Sequence, residues 1–285
     1  MKHICLNLKR FDVPAEFGGV NRIASPGAWS GYIIGHTQEE LKRYEKEKVR
    51  FSMYFPEAHI LGAVSARAED CLVRVGCQGV FRENTAPGGN FGAFTTNCPA
   101  SSARALGCET AIIGHCEERK DKGELIAMGG QAAPDTVDRI LNSEMRLAIE
   151  CGMDVLYCIG EKAEEQENWK EVLKRQLDTG LDGLDKSRVV VAYEPVWAIG
   201  PGKIPPDGEY IRKIADYVKE VTGGIDVIYG GGLKAENAAM LASVPEIDGG
   251  LIALTRFTGE IGFYPDEYLD IIRIYMENCD KQGKA

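Results

Sequence analysis

Eight short apolar runs, separated by longer amphipathic segments, recur along this chain of 285 residues. The runs are rich in β-branched residues, and several are apolar without alternation, which is typical of strands buried on both faces of a parallel sheet. The predicted strands are residues 3–9, 51–55, 71–77, 110–115, 154–160, 189–195, 226–231 and 250–255.

The segments between these runs predict helices. Between residues 207 and 221 the apolar side chains recur at helical spacing and form one face. Residues 134–152 begin with a proline suited to a first helical turn and end with a glycine suited to a C-cap, and residues 265–279 also carry an apolar stripe. Eight strands that alternate with helices predict an α/β protein, a single (β/α)8 barrel (TIM barrel). A doubly wound parallel sheet would give the same periodicity.

We expect one domain over residues 1–285, with enlarged loops at about 10–45 and 83–101. Residues 12–38 and 83–101 are rich in glycine, proline and polar residues and predict irregular structure after the first and third strands. Barrel enzymes build their sites at the carboxyl ends of the strands, so both loops are expected beside the site.

Charge and composition restrict the partners of the chain. Its formal net charge is −10 and its pI about 5.1, so it should repel polyanions, and we expect no nucleic-acid partner. No stretch approaches the roughly 20 apolar residues of a membrane span, and charges interrupt the first residues too early for a signal peptide. Nine scattered cysteines in a chain of this length favour free thiols in a reducing cytoplasm over a zinc site.

Polar residues close the first and fourth predicted strands. Lys9, two residues after Asn7, would aim an ammonium group and an amide at one ligand, but a lysine there also fits a surface position reached by its long stem. His115 precedes acidic residues that start a helix. The positive end of that helix disfavours an imidazolium, so a neutral ring would donate to a carbonyl oxygen. A buried histidine satisfied by the backbone is the alternative.

Glu194 closes the sixth predicted strand. A carboxylate in this apolar setting costs free energy, because burial opposes its ionised form. Its presence therefore indicates a functional role for Glu194. The next residues, 195–203, are apolar in the middle and glycine-rich at the far end, which suits a hinged lid that excludes water. After the seventh strand, glycines 230–232 would let backbone N–H groups approach an anion, although a tight turn explains them equally well.

These signals occur in the order found in triosephosphate isomerases, and the chain resembles that family from about residue 3 to residue 252. The string around Glu194 is the most specific match. The matching motifs are Asn7-x-Lys9, Ile113-Gly114-His115-x-Glu117, Cys158-Ile159-Gly160-Glu161, Tyr193-Glu194-Pro195-Val196-Trp197-Ala198-Ile199-Gly200-x-Gly202-Lys203 and Tyr229-Gly230-Gly231, with Gly92-Ala93-Phe94-Thr95 and Gly123-Glu124 also similar.

The resemblance implies an aldose–ketose isomerase that interconverts dihydroxyacetone phosphate and glyceraldehyde 3-phosphate through an enediolate. Glu194 would move a proton between adjacent carbons while neutral His115 shuttles protons at the oxygens, the pairing established for this family. Lys9 would stabilise the developing negative charge, with Asn7 beside it and Glu117 helping to hold it. No metal or organic cofactor is implied, since proton transfer needs neither, and the partner is a small phosphorylated sugar.

The chain departs from the family pattern around the expected phosphate. Gly200 and Gly232 would offer backbone N–H groups to it, and Gly232 replaces a usual serine. Ala253 and Leu254 stand where the family has two glycines, so side chains intrude where the backbone should approach the anion. Arg256 would either replace the lost contact or lie in solvent. Further departures are Cys116, Glu118, Pro201 and Asn97.

The third loop of the family inserts into a second subunit, which implies a homodimer with Thr95 at the contact.

Three alternatives to the leading function stay open. An isomerase of a related phosphosugar such as L-erythrulose 1-phosphate differs by one carbon, which is worth only about 1–3 kcal/mol of discrimination. A non-catalytic phosphosugar-binding barrel would be expected to have lost at least one of the four polar residues at the strand ends. A metal-dependent aldolase or hydrolase would need more histidines at strand ends than the four in the chain supply.

Overall fold

Eight parallel strands close into a barrel in the computed structural model of this chain, which describes residues 1–130, 134–200 and 202–282. The strands are β1 (Lys2–Asn7), β2 (Val49–Phe55), β3 (Val73–Cys77), β4 (Thr110–Ile113), β5 (Asp154–Ile159), β6 (Val189–Tyr193), β7 (Val227–Tyr229) and β8 (Gly249–Ile252). Each strand pairs with the next along the chain, and β8 pairs with β1. This order confirms the predicted (β/α)8 barrel.

The α-helices lie between the strands and after the last of them. They are α1 (Trp29–Leu41), α2 (Glu57–Ser65), α3 (Ala100–Ala105), α4 (Cys116–Met128), α5 (Pro134–Glu150), α6 (Trp169–Gly180), α7 (Gly208–Thr222), α8 (Ala235–Ala242) and α9 (Pro265–Gln282). The three helices predicted over residues 134–152, 207–221 and 265–279 are confirmed as α5, α7 and α9, with ends shifted by a few residues. None of the described helices combines the length and apolar character that a bilayer crossing requires.

All eight predicted strands are present, but most end two or three residues earlier than predicted. The sequence predicts Lys9, His115 and Glu194 within strands, whereas the structure places them just beyond β1, β4 and β6. There the chain leaves the ladder and turns towards the next helix. These residues therefore lie on the carboxyl rim of the barrel, the edge at which all eight strands end.

The loop after β1 is shorter than predicted. The prediction of irregular structure for residues 12–38 is wrong from Trp29 onwards, because α1 begins there and fills much of the enlarged loop expected at 10–45. Its buried face carries Trp29, Ile33 and Ile34, but two glycines in the same turns obscure the pattern in the sequence. The second irregular stretch, 83–101, has no helix before Ala100, where α3 begins.

Two apolar layers hold the barrel together. The larger lies between the outer faces of the strands and the helices, and it includes Ile4, Phe51 and Val75. The smaller fills the interior of the barrel with inward-facing side chains from the strands, which are Cys5, Tyr54, Ile112, Leu156, Cys158, Ala192, Ile228 and Leu251. Because the interior is filled, ligands reach the protein at the rim rather than through a pore.

Closure of the barrel depends on a close approach between β1 and β8. Gly249 pairs with His3 and has a φ of +147°, and a Cβ at this position would lie 1.8 Å from the carbonyl oxygen of His3. A non-glycine residue would therefore collide with backbone that cannot move without opening the barrel.

We expect Gly249→Ala to lower the free energy of unfolding by about 3 kcal/mol, because the added methyl both clashes and forces an unfavourable φ. Urea denaturation followed by circular dichroism measures this. Gly27→Ala is the matched control, since a Cβ at Gly27 has no atom within 4 Å, and its stability should be unchanged or slightly higher. Equal stabilities of the two variants would show that this approach does not limit closure.

Candidate active site

Four of the residues predicted for the site meet on the carboxyl rim. Lys9 follows β1, and Glu194 follows β6. His115 precedes α4, and Glu117 lies in the first turn of that helix. Direct contacts join them into one group, with Lys9 bonded to Glu117 and His115 next to Glu194. The fold thus brings together side chains that are 185 positions apart in the sequence.

The Glu194 side chain is buried, with only 2% of its surface exposed. Its Oε2 accepts a hydrogen bond of 2.8 Å from the backbone N–H of Cys116, and its Oε1 lies 3.2 Å from Nε2 of His115. Burial raises the pKa of Glu194, while His115 and the Cys116 N–H act in the opposite direction without cancelling the effect. A carboxylate with a raised pKa is a stronger base than one in water.

The tautomer of His115 follows from its position at the start of α4. Nδ1 accepts a hydrogen bond of 3.3 Å from the backbone N–H of Glu117, which caps the first turn of the helix. A neutral ring in this arrangement carries its proton on Nε2, the nitrogen that faces Glu194. Gly114 allows the turn with a φ of +82°, and its N–H donates to Oε2 of Glu118 at 2.6 Å. The ring is thereby presented as a donor to the interior of the site.

Lys9 lies in an uncommon backbone conformation, with a φ of +41°. Its N–H donates to Oδ1 of Asn7 at 3.1 Å, and its carbonyl accepts from Nε2 of Gln78 at 3.0 Å, so neighbours on both sides hold the turn. The ammonium group of Lys9 donates to Oε1 of Glu117 at 2.6 Å. Burial acts to raise the pKa of Glu117, but the hydrogen bond and charge of Lys9 outweigh it and the pKa is lowered. The ion pair aims Lys9 across the rim.

Gln78 is a residue of this site that the sequence analysis missed. Its side-chain amide lies within hydrogen-bonding distance of Oδ1 of Asn7, at 3.3 Å, and of the carbonyl of Tyr54, at 3.2 Å, besides that of Lys9. It therefore ties the ends of β1, β2 and β3 together. The signal that could have identified it is its position immediately after β3, where a polar residue follows a buried strand.

The first part of the segment predicted as a lid is attached to Glu161. This carboxylate is fully buried, and its Oε1 accepts from the hydroxyl of Tyr193 and the indole N–H of Trp197, each at 2.8 Å, and from the hydroxyl of Tyr210 at 3.3 Å. The indole ring of Trp197 also packs edge-on against Tyr210, with 5.7 Å between centroids. Burial raises the pKa of Glu161, and these donors oppose that effect. Pro201, noted above as a departure, lies outside the described residues.

Backbone N–H groups gather where the phosphate contacts were predicted. Gly232 has a φ of +102°, whereas Ala253 and Leu254 have no positive φ, so their side chains fit the backbone without strain. In the described part of the chain, the N–H groups of these three residues donate to no other group. Gly200, with a φ of +121°, lies on the lid segment. The replacement of two glycines by Ala253 and Leu254 therefore leaves the donors open.

The Arg256 side chain is 38% exposed, and its guanidinium is already paired. It donates to Glu267 at 2.7 Å and stacks on the ring of Tyr264 at 3.8 Å. Glu267 stabilises the charge and raises the pKa of Arg256. An anion would have to compete with this carboxylate for Arg256.

His115, Cys116 and Glu194 are the described residues whose geometry could hold a metal ion, since their ligand atoms lie within 4.8 Å of one another. Metals bind the thiolate form of cysteine. Burial, and next the charge of Glu194, raise the pKa of Cys116 to about 12, which disfavours that form. The donor set is thus better suited to proton transfer than to a metal.

Known proteins with the same features form one family. The family model for triosephosphate isomerase matches residues 33–273 of this chain. The triosephosphate isomerase of Geobacter metallireducens is 36% identical over 210 residues, covering 69% of this chain and 76% of that protein. That of Leptospira interrogans is 32% identical over 237 residues, covering 78% and 86%.

A solved structure shows the same architecture. The crystal structure of triosephosphate isomerase from Bartonella henselae superimposes with a TM-score of 0.71 at 21% identity, and the match covers 96% of this chain and 99% of that one. At this identity the superposition establishes the fold, while the family match and the relatives establish descent. The chain therefore belongs to the triosephosphate isomerase family.

Proposed function

We propose that this protein interconverts dihydroxyacetone phosphate and glyceraldehyde 3-phosphate by proton transfer, with Glu194 as the base. The observation that carries the proposal is the contact between the buried Glu194 carboxylate and the Nε2 of His115 at 3.2 Å, with the Lys9 ammonium on the same rim. A base, a neutral donor and a cation at one site are the groups that enediolate chemistry requires. The family of the chain supports the same reaction.

The first half of the reaction forms the enediolate. Glu194 takes a proton from C1 of dihydroxyacetone phosphate, the electrons of the C–H bond form the C1–C2 double bond, and negative charge develops on the carbonyl oxygen at C2. His115 donates its Nε2 proton to that oxygen, and Lys9 stabilises the charge as it develops. In the free protein Glu194 contacts His115 directly, so the substrate must enter between the two side chains.

The second half of the reaction returns the protons. His115 recovers a proton from the hydroxyl at C1, the C1–O bond becomes the aldehyde, and Glu194 gives its proton to C2. Each group regains its starting form, and the atoms balance without a co-reactant.

Asn7 holds the turn of Lys9, and Glu117 holds its ammonium group, so these two residues act by positioning Lys9. The open N–H groups of residues 232, 253 and 254 would bind the phosphate, and Gly200 would offer its own N–H group from the lid segment.

We further propose a homodimer that forms through the loop between β3 and α3. Phe91 is 90% exposed at the tip of this loop and adopts a φ of +57°, which is unusual for a bulky residue. A large apolar side chain projecting in this way is typical of a residue that inserts into a partner. No cysteine in the described residues forms a disulfide, which supports a reducing compartment, the cytoplasm, as the place of action.

We expect Glu194→Gln to lower kcat for dihydroxyacetone phosphate by about 10³-fold, because the amide cannot accept the proton. Steady-state isomerisation measures this, with L-erythrulose 1-phosphate as a comparison substrate and a chelator added in a parallel assay. Glu167→Gln, an exposed carboxylate, is the matched control and should keep full activity. Turnover that survives in Glu194→Gln would show that another residue is the base, and no turnover by the native protein would favour a non-catalytic barrel.

The same substitution should raise stability at neutral pH. Burial raises the pKa of Glu194 in the folded state, so ionised Glu194 reduces stability as the pH rises from its unfolded pKa through its folded one. Glu194→Gln removes this penalty, and its free energy of unfolding should exceed that of the native protein at pH 7. The difference should shrink as the pH falls towards 4.5, the ordinary pKa of a glutamate.

Glu117→Gln is a matched control, because it should change the free energy of unfolding in the opposite direction. The pKa of Glu117 is lowered in the folded state, so this carboxylate contributes stability above its unfolded pKa, and the contribution is lost as the pH falls through the folded pKa. The variant should be less stable than the native protein at pH 7. Urea denaturation between pH 4.5 and pH 7 tests both variants. A Glu194→Gln variant that is less stable than the native protein at pH 7 would contradict the burial argument.

Phe91→Asp should dissociate the proposed dimer. A charge at the tip of the loop would be buried on insertion, and removing the ring removes apolar contact. Sedimentation velocity should give twice the chain mass of 31.2 kDa for the native protein and a single chain mass for the variant. Met128→Asp, at another residue with more than four-fifths of its surface exposed, should remain dimeric. A native protein that sediments as a monomer would refute the proposal.

A further inference from the structure

Lys234 carries a positive charge beside the open N–H groups of the rim. It lies between β7 and α8, and a Cβ on Gly232 would be 3.5 Å from its Cε. The end of the Lys234 stem therefore lies beside Gly232. Nζ also lies 3.9 Å from the ring centroid of Phe257, which belongs to the loop after β8. The side chain therefore spans the two loops that hold the N–H groups of residues 232, 253 and 254.

Lys234 differs from the other cations of this region in its partners. Lys9 is bonded to Glu117, and Arg256 to Glu267. Across residues 1–130, 134–200 and 202–282, Lys234 has no carboxylate within ion-pair distance, and its ammonium group faces the Phe257 ring. A cation over a ring is held in place but keeps its N–H donors for an anion.

The loop after β8 explains why such a residue would be needed. Ala253 and Leu254 keep their N–H groups free, but their side chains add bulk where the backbone must approach an anion. An ammonium group reaches an anion over a longer distance than a backbone amide does, because a lysine stem spans several ångströms. Phe257 lies four residues beyond Ala253 on the same loop, and its ring orients the Lys234 side chain.

We propose that Lys234, seated on Phe257, is a phosphate-binding residue of this protein. The inference rests on the proposed function for the identity of the substrate, and it adds a side-chain cation to the backbone donors. The ammonium group contacts the phosphate of the sugar and contributes to binding in the ground state and the transition state alike. Its loss therefore weakens binding more than it slows the chemistry.

Binding of inorganic phosphate and turnover of dihydroxyacetone phosphate test this separately. We expect Lys234→Met to raise both the Kd for inorganic phosphate, measured by calorimetry, and the KM for dihydroxyacetone phosphate by about 10-fold, with kcat within about 3-fold. Lys234→Arg should restore most of the affinity. Phe257→Leu, which keeps the charge but removes the ring, should raise Kd by about 2-fold to 3-fold.

Lys170→Met is the matched control, because Lys170 also lies over aromatic rings, those of Trp169 and Tyr217, but these belong to helices α6 and α7. Its phosphate affinity and KM should equal those of the native protein, and thermal melting should show that every variant is folded. A Kd for Lys234→Met equal to that of the control would overturn the inference, as would a native protein that does not bind phosphate. Weakened phosphate binding in a protein without turnover would support the phosphate site and refute the proposed reaction instead.

Discussion

Closure of the sheet is the constraint on which the rest of this structure depends. Once β8 pairs with β1, all eight strands end on one rim, and residues that follow different strands become neighbours. The approach that closes the ring leaves no room for a side chain at Gly249. The apolar interior then blocks the centre of the barrel, so polar chemistry is confined to the rim.

On that rim, each of three polar side chains of the candidate site is held by a neighbouring backbone or side-chain group. The Cys116 N–H orients Glu194, the Glu117 N–H selects the tautomer of His115, and Asn7 holds the turn of Lys9. Backbone N–H groups are well suited to this task because the helices and strands fix their positions. A site built in this way is arranged before the substrate arrives, which lowers the cost of reorganisation during the reaction.

The barrel, and the meeting of Lys9, His115 and Glu194 on its rim, could be predicted from the sequence because their signals are local. Apolar runs mark strands wherever both faces are buried, and the string around Glu194 is specific in itself. The start of α1 was missed because glycines interrupt its buried face. Gln78 and the partners of Arg256 were missed for a different reason. Their contacts join residues far apart in the chain, and no local pattern records which acceptor a side chain will find.

The thiol next to the proposed base has a chemical consequence of its own. Oxidants and alkylating reagents attack the thiolate form of cysteine, and at neutral pH a thiol with a pKa of about 12 is ionised in only about one molecule in 10⁵. The burial and negative charge that raise the pKa of Cys116 therefore also protect it. A sulfur atom can therefore lie beside the proposed base and react only slowly with oxidants.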